Sequence, residues 1–188
     1  MVIKVAIFAS GKGTNLENII NRDIPSIKAS LVVTDKLCGA LEIARTYGIE
    51  ARTFFRKNYP TKKAMEEDIA SLLIEREIDL IVLAGYMRLF SPWFVHTYYQ
   101  KIINIHPSYL PYYKGKGAIE QAIKDGKKLY GVTVHYVDEG MDEGEILAQQ
   151  RVFYDGLNKE ELEMMVHQCE YELYPKVIAQ IARKGELL

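Results

Sequence analysis

The stretch Asn104-Ile105-His106-Pro107-Ser108-Tyr109-Leu110-Pro111 sets an amide and an imidazole two residues apart, with prolines close behind. The lead-in Gln100-Lys101-Ile102-Ile103 reads as the start of a short buried strand. Residues i and i+2 share a strand face, so Asn104 and His106 are expected to point the same way at its C-terminal end. The prolines end the strand and stiffen the segment after it. A hydrogen-bond donor beside a titratable acid/base suits a reaction that builds negative charge on a carbonyl oxygen and moves a proton. A lone histidine more often reads as a structural residue; the adjoining amide and proline favour the chemical reading.

The natural partner of His106 is Asp142, in the acidic loop Asp138-Glu-Gly-Met-Asp-Glu-Gly-Glu145, because a carboxylate stabilises an imidazolium. Taken alone, Asp142 reads as a solvated turn residue among Asp138, Glu139, Glu143 and Glu145. His135 fits two readings, a support behind the pair or a half-buried residue on a strand face, and His96 reads as a surface residue. A second constellation is Ser10-Gly11-Lys12-Gly13-Thr14-Asn15-Leu16, between the first strand and the first helix. Free N–H groups at a helix start bind anions. The motif lacks the Gly-Lys-Ser/Thr offset of a P-loop, and Leu16 stands where a dinucleotide fingerprint has its third glycine. It reads as a tight turn or a monophosphate site. Its place in an alternating strand–helix chain favours the latter.

The elements that position these groups alternate in kind. Apolar, β-branched runs at residues 2–9, 27–34, 51–54, 79–84, 102–106, 132–137 and 146–153 read as strands. Helical patterns begin at Leu16 and cover residues 40–47, 61–76 and 118–124; Thr61 is an expected N-cap, and Ser91-Pro92 starts a further helix. The last helix begins at Asn158-Lys-Glu-Glu161, a capping-box-like signal, with Leu162, Met165, Val166, Cys169, Leu173, Val177 and Ile181 as its apolar stripe. Pro175 is expected to kink it. The alternation predicts an α/β fold with a doubly wound, mostly parallel sheet, helices on both faces and one domain over residues 1–188. Right-handed crossovers then gather the loop after strand one, Gly85-Tyr86-Met87-Arg88 and Asn104–His106 along one edge.

Composition excludes several classes. Of 188 residues, 48% are apolar and 26% charged, as in soluble globular proteins, and no apolar run is long enough to span a bilayer. The N-terminus lacks a basic n-region and runs into a glycine turn, so it reads as a first strand in a cytoplasmic protein. Net charge is −1 with no block of like sign, which gives no sign of a nucleic-acid partner. Cys38, Cys169 and the histidines show no metal spacing, so no metal is expected. Oligomeric state has no signature.

Together these residues resemble the phosphoribosylglycinamide formyltransferases, which formylate glycinamide ribonucleotide in purine biosynthesis. The likeness runs over nearly the whole chain. It includes Ser-Gly-Lys-Gly-Thr-Asn-Leu (10–16), Leu-Ala-Gly-Tyr-Met-Arg (83–88), Asn-Ile-His-Pro-Ser-Tyr-Leu-Pro (104–111), Gly-Val-Thr-Val-His-Tyr-Val-Asp-Glu-Gly-Met-Asp-Glu-Gly (131–144) and Glu-Tyr-Glu-Leu-Tyr-Pro (170–175). By position, the resemblance implies a catalytic trio of Asn104, His106 and Asp142. It implies a phosphate loop at Gly13, Thr14 and Asn15, a ribonucleotide contact at Glu170, and a folate segment of Met87, Arg88, Leu89 and Phe90, with Lys62 and Asn104 also on the folate. It implies 10-formyltetrahydrofolate as cosubstrate, phosphoribosylglycinamide as acceptor and a cis peptide before Pro111. Leu83, Leu89, Phe90, Phe94, Ile102 and Val137 are candidates for the pterin slot.

This chain departs from the family at Tyr113-Lys114-Gly115, where Phe-Pro-Gly is common, and at Lys62, where well-known members carry a forked arginine. Formyltetrahydrofolate deformylase shares the trio but carries an extra N-terminal domain. Methionyl-tRNA formyltransferase shares the core but carries a C-terminal RNA-binding domain. A non-catalytic folate- or nucleotide-binding protein on the same fold would have little use for the trio.

Overall fold

A computed structural model describes residues 2–126, 128–156 and 158–184. Seven strands form one sheet: β1 (Ile3–Ala9), β2 (Ile27–Thr34), β3 (Glu50–Thr53), β4 (Leu80–Leu83), β5 (Ile102–His106), β6 (Tyr130–Tyr136) and β7 (Ile146–Val152). Their order is β3-β2-β1-β4-β5-β6-β7. The pairs from β3 to β5 are parallel, and β6 and β7 continue the sheet antiparallel. The helices are α1 (Thr14–Asn21), α2 (Gly39–Thr46), α3 (Lys62–Glu75), α4 (Pro92–Thr97), α5 (Ala118–Asp125) and α6 (Lys159–Lys184). Among the described residues no helix is long and apolar enough to cross a membrane.

Strand alternation sorts the core into two layers. Ile3, Val5, Ile7 and Ala9 of β1 pack under α1, α2, α5 and α6. Ala6 and Phe8 face the other way, against Met65, Ile69 and Leu73 of α3 and Phe94 of α4. The fully buried β4 sequence Leu-Ile-Val-Leu is what a strand covered on both faces requires. The chain winds outward from β1 to β2 and β3, then returns to β4 on the other side of β1. That reversal opens the crevice where α/β sheets hold ligands.

Local signals mark the element ends well. Thr61 caps α3 by accepting from Ala64 N, and Ser91 caps α4. Asn158 accepts from Glu161 N, but Glu161 does not complete a capping box. Its carboxylate instead accepts from the Tyr154 hydroxyl. β6 starts two residues before the expected strand, because Tyr130 and Gly131 pair with Val152 and Arg151 in the hairpin. Met165 falls off the buried stripe of α6 at 38% exposed, while Tyr174, Ile178 and Ala182 join it. The helix continues through Pro175 as one element.

Tyr174 is fully buried, and its hydroxyl lies 3.0 Å from Leu83 O and 3.1 Å from Ile103 O. It ties α6 to β4 and β5 beneath the crevice. Tyr174→Phe removes the only donor of that side chain. We expect a loss of about 1 kcal/mol and a Tm lower by roughly 2–4 °C. An unchanged thermal melt would show that the tie carries no net stability.

Candidate active site

The site grows from the C-terminal end of β5. Asn104 stands opposite His135 on β6, and His106 opposite Thr133. His135 is 2% exposed, and its Nδ1 lies 2.8 Å from the Tyr136 carbonyl. A carbonyl only accepts, so Nδ1 carries the proton; the second nitrogen, Nε2, accepts in the neutral ring and donates in the imidazolium. Asn104 Nδ2 donates to it at 3.3 Å. His135 therefore stands behind Asn104 and sets its amide, which leaves a second N–H for another acceptor.

Asp142 closes the group, with one oxygen facing each imidazole. Oδ1 lies 3.6 Å from His135 Nε2 and Oδ2 lies 3.4 Å from His106 Nδ1. Gly115 N donates to Oδ2 at 2.8 Å. Burial pushes this carboxyl up. The His135 hydrogen bond, the Gly115 amide and the charges of His106 and His135 outweigh it and hold it below its ordinary value of 3.8. The other ring nitrogen of His106, Nε2, lies 2.9 Å from the Tyr113 carbonyl. Only the imidazolium form of His106 can donate both to that carbonyl and to Asp142.

Asp142 is no solvated turn residue: its side chain is 12% exposed. Because β6 is antiparallel, the acidic loop leaves the sheet beside Ile103, not beside His106. The loop folds back with Asp142 in a left-handed conformation at φ +54°, which aspartate tolerates better than most residues. Gly144 makes this possible, because a Cβ there would sit 1.8 Å from the Tyr136 carbonyl oxygen. His96 is on the surface as expected, yet its Nε2 pairs with Glu139 at 2.6 Å and tethers α4 to the loop.

The departure Tyr113-Lys114-Gly115 belongs to the same framework. Tyr113 offers its carbonyl to His106, Lys114 pairs with Glu143 at 2.8 Å, and Gly115 donates to Asp142. The Tyr113 hydroxyl donates to Asp125, and burial plus that carboxylate push it up to about 12. The Leu110–Pro111 peptide in this segment is cis.

The glycine loop lies two strands from β5, after β1. Gly13 ends the turn at φ +85°, and a Cβ there would meet Ile43 at 2.7 Å and the Ala40 Cα at 2.9 Å. The first-turn amides of α1 have no intrahelical acceptor. Asn15 Nδ2 donates to Glu170 Oε2 at 3.0 Å, which brings α6 onto the loop. Ser10 joins the loop to the segment after β4: its N–H reaches Gly85 O, and its hydroxyl accepts from Met87 N at 3.0 Å.

Among the residues assigned to folate, Met87 and Leu89 are exposed, at 61% and 62%. Arg88 is drawn aside, with Nε donating to buried Asp35 at 2.8 Å. Lys62 lies 3.8 Å from Glu66, a carboxylate only 1% exposed that also grips Ser91 through its N–H and hydroxyl. Lys62 is thereby held beside the 87–91 segment. Of the slot candidates, Leu83, Phe94 and Ile102 are core residues, with Phe90 and Val137 packed on them. They form a floor, and Leu89 alone stands out from it. Sequence reasoning passed over Asp35, Glu66 and His167. The available signals were a carboxylate just after a strand end, Glu66 one helical turn after Lys62, and His167 one turn before Glu170. Cys169 is buried and its thiol is pushed up to about 11, while Cys38 is half-buried. Among the described residues no His, Cys, Asp and Glu cluster is arranged to hold a metal ion.

A doubly wound sheet with an Asn–His–Asp group at its crevice defines a class, and comparison with known proteins agrees. Residues 3–178 match the formyl transferase family, and the chain belongs to it. Relatives similar to it include phosphoribosylglycinamide formyltransferases. The one from Bacillus subtilis (strain 168) is 43% identical over 183 residues, covering 95% of this chain and 94% of the relative. The crystal structure of glycinamide ribonucleotide transformylase 1 from Geobacillus kaustophilus superposes with a TM-score of 0.93 at 44% identity, covering 97% of this chain and 100% of that one. Phosphoribosylglycinamide formyltransferase from Bacillus halodurans gives 0.92 at 42% identity, with 98% of each chain covered.

Proposed function

We propose that this chain transfers the formyl group of 10-formyltetrahydrofolate to the primary amine of 5'-phosphoribosylglycinamide, as in de novo purine biosynthesis. The observation that carries the reading is the carboxylate of Asp142 shared between His106 and His135, with Asn104 beside it and an anion-type loop two strands away. Each role rests on the chemistry. Attack of the amine on the formyl carbon puts charge on the formyl oxygen. The second N–H of Asn104 is a donor already in place for it, and the Nε2–H of His106 supplies another once its carbonyl partner moves aside. His106 delivers its Nε2 proton only after the Tyr113 carbonyl is displaced, so the Tyr113-Lys114-Gly115 segment must yield as substrate enters. Asp142 stabilises the imidazolium; it takes the amine proton through water and returns it to His106, which has given its own proton to the leaving folate nitrogen. The leaving folate nitrogen gains a proton, so none is lost or gained overall.

The first-turn amides at Gly13, Thr14 and Asn15 hold the ribonucleotide phosphate. Glu170 and Asn15 take its ribose hydroxyls, since Asn15 Oδ1 is buried without a partner. Met87, Arg88, Leu89 and Phe90 frame the folate, with Lys62 at its charged tail. The test is a formyl-transfer assay with phosphoribosylglycinamide, water and methionyl-tRNA offered as acceptors. Transfer to phosphoribosylglycinamide alone is the expected result; faster release of formate without acceptor would instead define a deformylase. Gly13→Val should weaken ribonucleotide binding at least ~10-fold, because the side chain clashes in a left-handed turn. Calorimetry with the ribonucleotide would detect it, and unchanged affinity would remove the loop from the site.

A further inference from the structure

Glu170 is a carboxylate 4% exposed, in one hydrogen-bond network with the loop assigned to a phosphate. A buried negative charge beside an incoming dianion opposes binding unless something balances it. Two donors converge on its Oε2, Asn15 Nδ2 at 3.0 Å and His167 Nδ1 at 2.9 Å. Asn15 is neutral. His167 is the one of the two that can bring a positive charge.

The geometry of His167 is prepared for that task. It sits one helical turn before Glu170, on the same face of α6. The Tyr171 ring lies over its imidazole, with centroids 6.3 Å apart and planes 14° from parallel. Tyr171 is in turn pinned to α1, its carbonyl accepting from Asn18 at 2.9 Å and from Arg22 at 3.4 Å. Through Glu170, His167 reaches Asn15 in the first turn of α1, where the phosphate loop ends.

We infer that His167 is a positioning residue for the phosphorylated substrate: its imidazolium holds Glu170 against Asn15 and cancels the Glu170 charge, so ribonucleotide affinity falls when the imidazole deprotonates. This rests on the assignment of Gly13, Thr14, Asn15 and Glu170 to the ribonucleotide. The groups facing the ring are Glu170 and Glu163 from α6 and Lys12 from the loop. The Glu170 hydrogen bond raises the pKa of His167 above its usual 6.5. Burial opposes this, the charges of Glu170 and Glu163 add to it, and Lys12 opposes it weakly. Below the raised pKa the imidazolium is present and binding is supported; as pH rises through it, the support is lost. Below about pH 6 the phosphate itself sheds its second charge. Affinity should therefore peak between that point and the raised His167 pKa.

The experiment is calorimetry of the full chain with phosphoribosylglycinamide across the neutral and mildly alkaline range, for wild type, His167→Gln and His167→Lys. Wild-type affinity should fall with rising pH. His167→Gln keeps a donor without charge; it should bind roughly 3- to 10-fold more weakly on the acid side and lose the pH dependence. His167→Lys keeps its charge and should hold affinity into the alkaline range. In turnover, the His167→Gln effect should fall on KM for the ribonucleotide and leave KM for 10-formyltetrahydrofolate unmoved. Parallel pH profiles in wild type and His167→Gln, or an alkaline loss in His167→Lys equal to wild type, overturn the inference while the functional reading stands. If wild type binds no ribonucleotide, the functional reading falls and takes this inference with it.

Discussion

Replacing Asp142 with asparagine is expected to lower the formyl-transfer rate by ~10²- to 10³-fold while the sheet and helices stay intact. The carboxylate serves three neighbours at once: His106, His135 and the Gly115 amide. An asparagine has one acceptor oxygen where the carboxylate has two, so at most one of the two imidazoles keeps an acceptor for its N–H. The charge that favours imidazolium at His106 is also gone. A pH signature accompanies the loss. The folded carboxyl sits below its ordinary value of 3.8, so its contribution to stability is fully present above that value. It is lost as pH falls through the depressed one. The stability gap between wild type and Asp142→Asn should therefore close as pH falls below about 4. Denaturant melts across that range measure it. A gap that widens on acidification, or a variant with near-wild-type turnover, would show that Asp142 only shapes the turn.

His106→Ala should cost ~10²-fold or more in turnover, the scale for loss of an acid or an oxyanion donor. Ribonucleotide affinity should change little, since the loop at Gly13 lies beyond β4 from this residue. The substitution also strips the Tyr113 carbonyl of its donor, so a stability loss of about 1–3 kcal/mol accompanies it. His106→Asn separates the two effects, because an amide can donate to Tyr113 but cannot titrate. Equal loss of turnover in both variants, with folding confirmed by circular dichroism, is the expected result. Recovery in His106→Asn would mean that the site needs a donor at this position and no acid.

The legible part of this chain was local. Alternating strands and helices came from apolar runs and 3.6-residue stripes, and caps at Thr61, Ser91 and Asn158 came from residue types beside those runs. Asn104 and His106 were legible as a pair because i and i+2 on a strand share a face whatever surrounds them. Met165 shows where locality failed: its spacing fits the stripe of α6, yet it is 38% exposed, while Tyr174, outside the expected stripe, is fully buried.

Packing set the surroundings of each charge. Asp142 alone read as one acid among five in a loop, and only the fold brings its two oxygens to two imidazoles from different strands. Glu66 and Asp35, passed over in the sequence, are buried carboxylates that the fold pairs with Ser91 and Arg88 from far along the chain. The Tyr113 carbonyl on His106 has no side-chain signature at all, since every residue has a carbonyl and only its path through space selects this one. The order of residues thus dictated which elements form and which chemistry-bearing side chains lie at their ends, because dihedral preference, periodicity and capping act within a few residues. The protonation and orientation of those side chains depend on groups many residues away, and only the packed sheet and its returning loops bring those groups within hydrogen-bond reach.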